Sequence, residues 1–377
     1  MIQSQSRTAS GDRFKIDLPP LARFLICRVI HIFVAIVGAT VVLYGIMAMT
    51  PAETRAQLYM PPWDSPGGTK NLLQTIIKEQ GLDDPLPVQY VRWASRLLQG
   101  DWGWSPIMRE HVLPAMLRRT PATVELTLYS LLLFIPLGLT SGAIAGWKRR
   151  RLPDRGFQLI AFIATSIPPF VLALVLLAIF YVALPWFPPG RNGMAARSIL
   201  SSSSFRAFTG LVTIDGLLNG RFDVTLDGLR HLVLPVVTLS LSHWATLGRV
   251  TRTAMIEELS KDYVNTARGK GLSMREAVWV HALRNAFIPG INSSAVSAAS
   301  LVTGVFVVEI IFAYPGVSKV IGLAPLNNVT YMGAAVPDMA ATMGFALYSI
   351  LVVLPLMFLL DVLQALIDPR IREGVTE

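Results

Sequence analysis

The chain has 377 residues and a mean hydropathy of +0.51, with 53% hydrophobic and only 15% charged residues, which excludes an ordinary soluble domain and calls for a bilayer. Its net charge of +9 sits in short clusters beside apolar runs, not on patches interleaved with aromatics, so it speaks for membrane topology and against nucleic acid. The single cysteine, Cys27, excludes an intrachain disulfide, and the histidines at 31, 111, 231, 243 and 281 lack the close pairings of zinc sites, so no metal is expected.

Residues 1–22 are polar and contain Pro19 and Pro20, the composition of a tail. Residues 29–50 form the first uncharged run, long enough to cross a hydrocarbon core that takes roughly 20 helical residues. It is too long and starts too late for a signal peptide, so it is read as a retained span. Residues 50–120 are polar, with Pro61, Pro62, Trp63, Gly67 and Gly68 and an expected helix near 72–80, and make the largest piece outside the membrane. Further uncharged runs at 126–147, 156–190, 231–248, 286–308 and 339–360 predict an all-α membrane protein of six transmembrane helices with both termini on one side. The run 156–190 lacks a hydrophilic turn and reads as one helix ending near Leu184, followed by a proline-rich exit. Pro136, Pro168, Pro169, Pro235 and Pro355 fall inside spans, where they make either movable bends around a pathway or tolerated kinks.

Basic residues set the orientation. Lys148, Arg149, Arg150, Arg151 and Arg155 crowd the short link between the second and third spans and place it in the cytoplasm. Arg23 and Arg28 before the first span, and Arg370 and Arg372 after the last, agree. By alternation, 50–120 and 185–230 face outward and the charged stretch 262–289 faces the cytoplasm.

That stretch reads as two helices. The first, 262–268, is stopped by Gly269 and Gly271, and Ser273 with Glu276 has the spacing of a capping box that starts the second. In the second helix His281, Arg284 and Asn285 share one face, while Ala277, Val280, Leu283 and Phe287 lie on another. One face is therefore offered to water or to a partner. No G-x-x-x-x-G-K-[ST] occurs, and Arg268-Gly269-Lys270-Gly271 lacks both the upstream glycine and the hydroxyl after the lysine. G-x-S-x-G and H-E-x-x-H are also absent, so no catalysis is assigned to the chain. Glu309, an isolated charge at the end of the fifth span, is a candidate for lining a pathway or for simple hydration at the interface. Asp361 is expected to pair with a nearby arginine.

Several motifs, taken together, resemble one family. They are Gly81-Leu82-Asp83-Asp84-Pro85-Leu86-Pro87 with Gly100-Asp101-Trp102-Gly103, then Thr120-Pro121-Ala122-Thr123-Val124-Glu125-Leu126. Thr266-Ala267-Arg268-Gly269-Lys270-Gly271-Leu272-Ser273 follows, with His281-Ala282-Leu283-Arg284-Asn285-Ala286. Glu309-Ile310-Ile311-Phe312 with Pro315-Gly316, and Asp368-Pro369-Arg370, complete the series. From Leu25 to Arg372 the chain resembles the permease subunits of bacterial binding-protein-dependent ABC importers, in the peptide and nickel branch.

The resemblance implies a type I permease architecture in the bacterial inner membrane, one half of a translocation pathway for peptides, nickel or another small solute. It implies as partners a second permease, two ATPase subunits that bind ATP and Mg, and an extracytoplasmic substrate-binding protein. No cofactor is implied for this chain. A coupling loop, 254–289, would dock on an ATPase through Ala267, Arg268, Gly271, Leu272 and Ser273, with Arg284 in support. Asn265 departs from the glutamate of the general motif. Asp338 is a second pathway or gate candidate beside Glu309, although Pro337-Asp338-Met339-Ala340 departs from the Arg-Asp-Tyr-Pro of the branch. The segment 185–230 is longer than the branch usually has and reads as a contact for the binding protein. The resulting division is a cytoplasmic tail, 1–22, and a permease domain, 23–377. The rivals are an ATPase-independent secondary transporter and a membrane enzyme.

Overall fold

The computed structural model describes residues 20–56, 69–105, 108, 110–323, 329–331, 334–336 and 338–367. Within hydrocarbon each backbone N–H and C=O must find its partner inside the segment, so the long apolar runs become helices. The first is α1, Pro20–Ala48, apolar on nearly every side. Three short helices follow it: α2, Ala52–Ala56, α3, Thr69–Gln80, and α4, Leu86–Leu98. A small hairpin of β1, Trp104–Ser105, and β2, Glu110–His111, pairs Trp104 with His111.

Helix α5, Val112–Trp147, starts well before residue 126, so its first turns lie in the segment expected outside the spans. The run 156–190 departs further from expectation. It is α6, Leu152–Ser166, and α7, Pro169–Leu177, bent by 99° at Ile167 and Pro168, with a wide π-helical turn, Ala178–Ala183, at its end. The cause is local: Pro169 forces Pro168 out of helical geometry, neither proline can donate a backbone bond, and Ile167 and Pro168 are extended at ψ 120° and 139°.

Two short helices, α8, Met194–Leu200, and α9, Val212–Leu218, fill the stretch before α10, Phe222–Glu258. Next come α11, Asp262–Gly269, and α12, Met274–Glu276, then a second π-helical turn, Ala277–Ala282, that runs into α13, Leu283–Ile311. The chain closes with α14, Ser318–Leu323, a hairpin of β3, Val329–Tyr331, and β4, Ala334–Val336, and α15, Met339–Ile367. Residues 1–19, Gly67, Pro337 and Arg370 lie outside the described residues, as does the side chain of Asp361.

By length and composition three described helices, α1, α5 and α10, can cross a membrane singly, and two bent pairs, α6 with α7 and the two parts of the Met274–Ile311 stretch, raise the number to five. Helix α15 contributes a shorter apolar stretch over Ala340–Pro355.

Helices α5 and α10 form the spine and run parallel. Ser130 lies by Ser240, Gly138 by Leu247 and Gly146 by Arg252. Glycines set the approach: a methyl group added at Gly142 would overlap the Gly248 carbonyl, and one at Gly146 would stand 2.7 Å from that of Arg252. Helix α13 runs the other way, its Gly290 beside Thr251 and Gly304 beside Leu239. The core between them holds Leu126, Phe134, Leu239, Leu247, Leu301 and Val305. One side of the bundle therefore carries the described parts of 49–111 and the segment 184–221, and is termed here the extension side. The other carries the basic link 148–155 and α11, and is termed the basic side.

Candidate functional site

On the extension side, one and a half turns of α5 hold four other elements by polar contacts. Thr120 Oγ1 pairs with the Tyr348 hydroxyl of α15 at 2.7 Å. Thr123 Oγ1 donates to Glu309 Oε1 of α13 and accepts from the Val317 N–H at 2.9 Å, while the Ser318 N–H donates to Glu309 Oε2 at 2.9 Å. Glu125 accepts from the Thr213 N–H and hydroxyl at 2.8 and 2.7 Å, from Arg191 Nε and Nη2 at 2.9 and 2.7 Å, and from the Tyr314 hydroxyl at 3.2 Å. Burial, followed by the neighbouring Glu125 charge, pushes the Tyr314 phenol well above its usual range, which keeps it a donor.

Glu125 and Glu309 are each about 1% exposed. Both oxygens of Glu309 are engaged by protein groups, so within the chain this carboxylate meets neither bulk water nor an open channel. Gly316 is required beside it, because a Cβ there would run into the Glu309 carboxylate. Arg191 Nη2 also donates to the Gly210 carbonyl at 2.6 Å, and the Gly190 N–H to the Phe312 carbonyl at 2.7 Å. The segment around α8 and α9 is thereby fixed to the bundle.

Asp338, also about 1% exposed, stands at the start of α15. It accepts from the Ala341 N–H at 2.9 Å, an N-cap contact, and from the Ser105 hydroxyl, whose oxygen in turn accepts from the Met108 N–H at 3.0 Å. Its carboxylate ties α15 to the β1–β2 hairpin. The two acids proposed for a pathway thus sit on the same side of the molecule, in separate clasps.

On the basic side, the guanidinium of Arg252 grips Asp154 in two contacts, Nε to Oδ1 at 2.6 Å and Nη2 to Oδ2 at 3.0 Å. Asp154 also accepts from the Arg150 N–H at 2.7 Å and from Gln158 Nε2 at 2.8 Å, which fixes the basic link to α10. Glu258, at the end of α10, accepts from Lys261 Nζ and from the Tyr263 hydroxyl, both at 2.6 Å, and Asn285 Nδ2 donates to that hydroxyl at 3.2 Å. Helix α11 is thus held between α10 and α13.

Gly269 stays helical, and Gly271 alone ends α11, at φ +90°. The Leu272 N–H reaches back to the Ala267 carbonyl at 3.3 Å and the Gly271 N–H to that of Arg268 at 3.0 Å, the pattern of a Schellman cap. The Ser273–Glu276 capping box then forms in both directions. Ala267 is buried within the chain, whereas Arg268, Gly271, Leu272, Ser273 and Arg284 are exposed.

The expected apolar face of the second helix is displaced. Val280 is 62% exposed, and the buried positions are Ala277, Val278, Ala282 and Ala286, which pack with Val264 against Ala254 and Met255. The π-turn explains the shift: a wider turn adds a residue and rotates the face, which a 3.6-residue period does not anticipate. Leu272, Met274 and Trp279 are exposed as well.

A bundle of apolar helices, braced by polar clasps at both ends and showing an exposed helix–turn–helix tip at one, has the build of an integral membrane protein. Residues 135–373 match the family described as binding-protein-dependent transport system inner membrane component, and the chain belongs to that family. It is 37% identical over 293 residues to the di/tripeptide transport system permease protein DppB of Pseudomonas aeruginosa, covering 78% of this chain and 82% of that one. With the oligopeptide transport system permease protein AppB of Bacillus subtilis it shares 30% over 353 residues, 93% of this chain and all of the relative. A probable D,D-dipeptide transport system permease protein of Escherichia coli, DdpB, is 34% identical over 303 residues, covering 80% and 85%.

Proposed function

We propose that this chain is the permease half of an ATP-driven peptide importer in the bacterial inner membrane. Its six spans pair with those of a second permease, and peptides arrive from an extracytoplasmic binding protein. Two separate ATPase subunits, with ATP and Mg, power the cycle. The observation that carries this reading is the family membership together with relatives named for di/tripeptide, oligopeptide and D,D-dipeptide transport along most of the chain. In this reading the basic side is cytoplasmic, both termini included, and the segments 50–120 and 185–230 face outward.

The tip formed by α11 and α12 is assigned as the coupling element, its Arg268, Gly271, Leu272 and Ser273 facing an ATPase. Ala267 supports the tip from inside, and Arg284 steadies the helix behind it. An exposed leucine and methionine among basic residues are the features expected of a small docking knob, because burying the apolar groups supplies affinity while the charges orient the encounter. Glu309 and Asp338 act as gate residues by fixing the outward ends of α13 and α15.

The test is Leu272→Asp beside Gly271→Asp. A charge buried against the ATPase costs several kcal/mol after relaxation, enough to weaken a modest interface by orders of magnitude. Both variants are expected to insert normally and lose ATP-dependent peptide uptake. Leu272→Asp leaves the φ +90° glycine in place and so separates lost docking from a strained turn. Normal uptake by inserted Leu272→Asp protein would overturn the coupling assignment.

A further inference from the structure

A cavity of about 70 Å3 lies on the extension side, where the last turn of α1 and the first turns of α15 meet α4 and the Asp101–Trp104 loop. Tyr44 and Met47 of α1 and Met343 and Leu347 of α15 form its apolar wall. Trp93, Trp102 and Trp104 give it an aromatic rim, Asp101 and the buried Arg55 bring one charge of each sign, and Arg92 and Arg96 of α4 bring positive charge. The two arginines differ. Arg92 is occupied by the Gln80 carbonyl at 2.9 Å and by Asp84 Oδ2 at 2.8 Å. Arg96 spends one nitrogen, Nη1, on Gln80 Oε1 at 2.6 Å, and its other N–H groups have no partner among the described residues. A partly shielded guanidinium with donors to spare, among tryptophans, is a site for an oxyanion.

We propose that this cavity holds the phosphodiester headgroup of a membrane phospholipid, with Arg96 as its ligand. Position favours a lipid. The wall is made by the ends of two apolar helices, and α1 turns Val41, Val42 and Ile46 outward, so acyl chains can lie along it while the headgroup stays at the level of the tryptophan rim. At roughly 10–15 Å3 per water, the space holds about five waters, room for a phosphate group. The bound lipid would brace α1, whose main contacts among the described elements are with α15 and, at this end, α4.

The experiment uses the full chain, purified in detergent with the subunits that accompany it. Thermal unfolding is followed during titration with phosphatidylglycerol in mixed micelles, and in parallel with inorganic phosphate. Wild type is expected to gain Tm with the lipid and not with phosphate, and Arg96→Gln to need at least about tenfold more lipid for the same gain, a loss of about 1.4 kcal/mol. Met343→Trp fills the cavity without touching the charge and should produce the same loss. Arg197→Gln, on α8, should titrate as wild type. If both Arg96→Gln and Met343→Trp respond like wild type, the proposal is wrong. A Tm gain reproduced by inorganic phosphate alone would also overturn it, in favour of a soluble phosphate site.

Discussion

Thr123 and Glu125 stand two residues apart on α5 and share one neighbour, the loop before α14, through Val317 and Tyr314; Thr123 also holds α13, and Glu125 the segment around α8 and α9. Thr123→Val keeps shape but removes both the donor to Glu309 and the acceptor for the Val317 N–H. Each buried group left unpaired costs about 1–3 kcal/mol, so the variant should unfold several degrees lower in detergent thermal scans. An unchanged Tm would mean that water takes over the role of the hydroxyl. Glu125→Gln should cost more, because it leaves the Arg191 guanidinium, only 17% exposed, without its counter-charge. The doubly substituted Glu125→Gln, Arg191→Met protein should recover much of that loss. If it recovers nothing, the pair is not what the clasp depends on.

The contact between α5 and α10 relies on the absence of side chains at Gly138, Gly142 and Gly146. Without a hydrophobic force between helices in lipid, such close approach lets dispersion contacts hold a bundle together. Gly142→Leu would drive the helices apart at the Gly248 carbonyl, and is expected to give inserted but protease-sensitive protein. Gly156, where an added methyl meets nothing within 4 Å, is the control, and Gly156→Ala should behave as wild type. Equal protease resistance of Gly142→Leu protein and wild type would refute the packing argument. The 99° bend at Ile167 and Pro168 belongs to this level as well, since it redirects a run that hydropathy alone would have drawn straight.

Taken whole, the molecule separates its tasks by side. The extension side is cross-linked by carboxylates, and the basic side presents an exposed tip held by Glu258, Tyr263 and Asn285. If the basic side is cytoplasmic, a cysteine at Arg149 in a Cys27→Ser background should resist an impermeant thiol reagent added to intact cells, whereas one at Ser203 should react. The reverse pattern would invert the proposed orientation.

Much of this was legible in the residue order, because it depends on local chemistry. Apolar runs announced helices, the Ser273–Glu276 spacing announced a capping box, and Gly271 announced a helix end. The family resemblance lay in short motifs of the same local kind. What lay beyond reach depended on contacts between distant residues. Glu309 could be read as hydrated until Thr123, 186 positions earlier, was seen to bond it in a buried site. Asp338, a pathway or gate candidate by resemblance, is held by Ser105, 233 positions earlier. Whether Val280 faces in or out was decided by a π-turn whose extra residue leaves no mark in hydropathy, and the cavity beside Arg96 exists only because α1, α4 and α15 converge. Hydropathy and capping act over a few residues, whereas burial and hydrogen-bond partners belong to the assembled bundle, so only the tertiary structure could assign them.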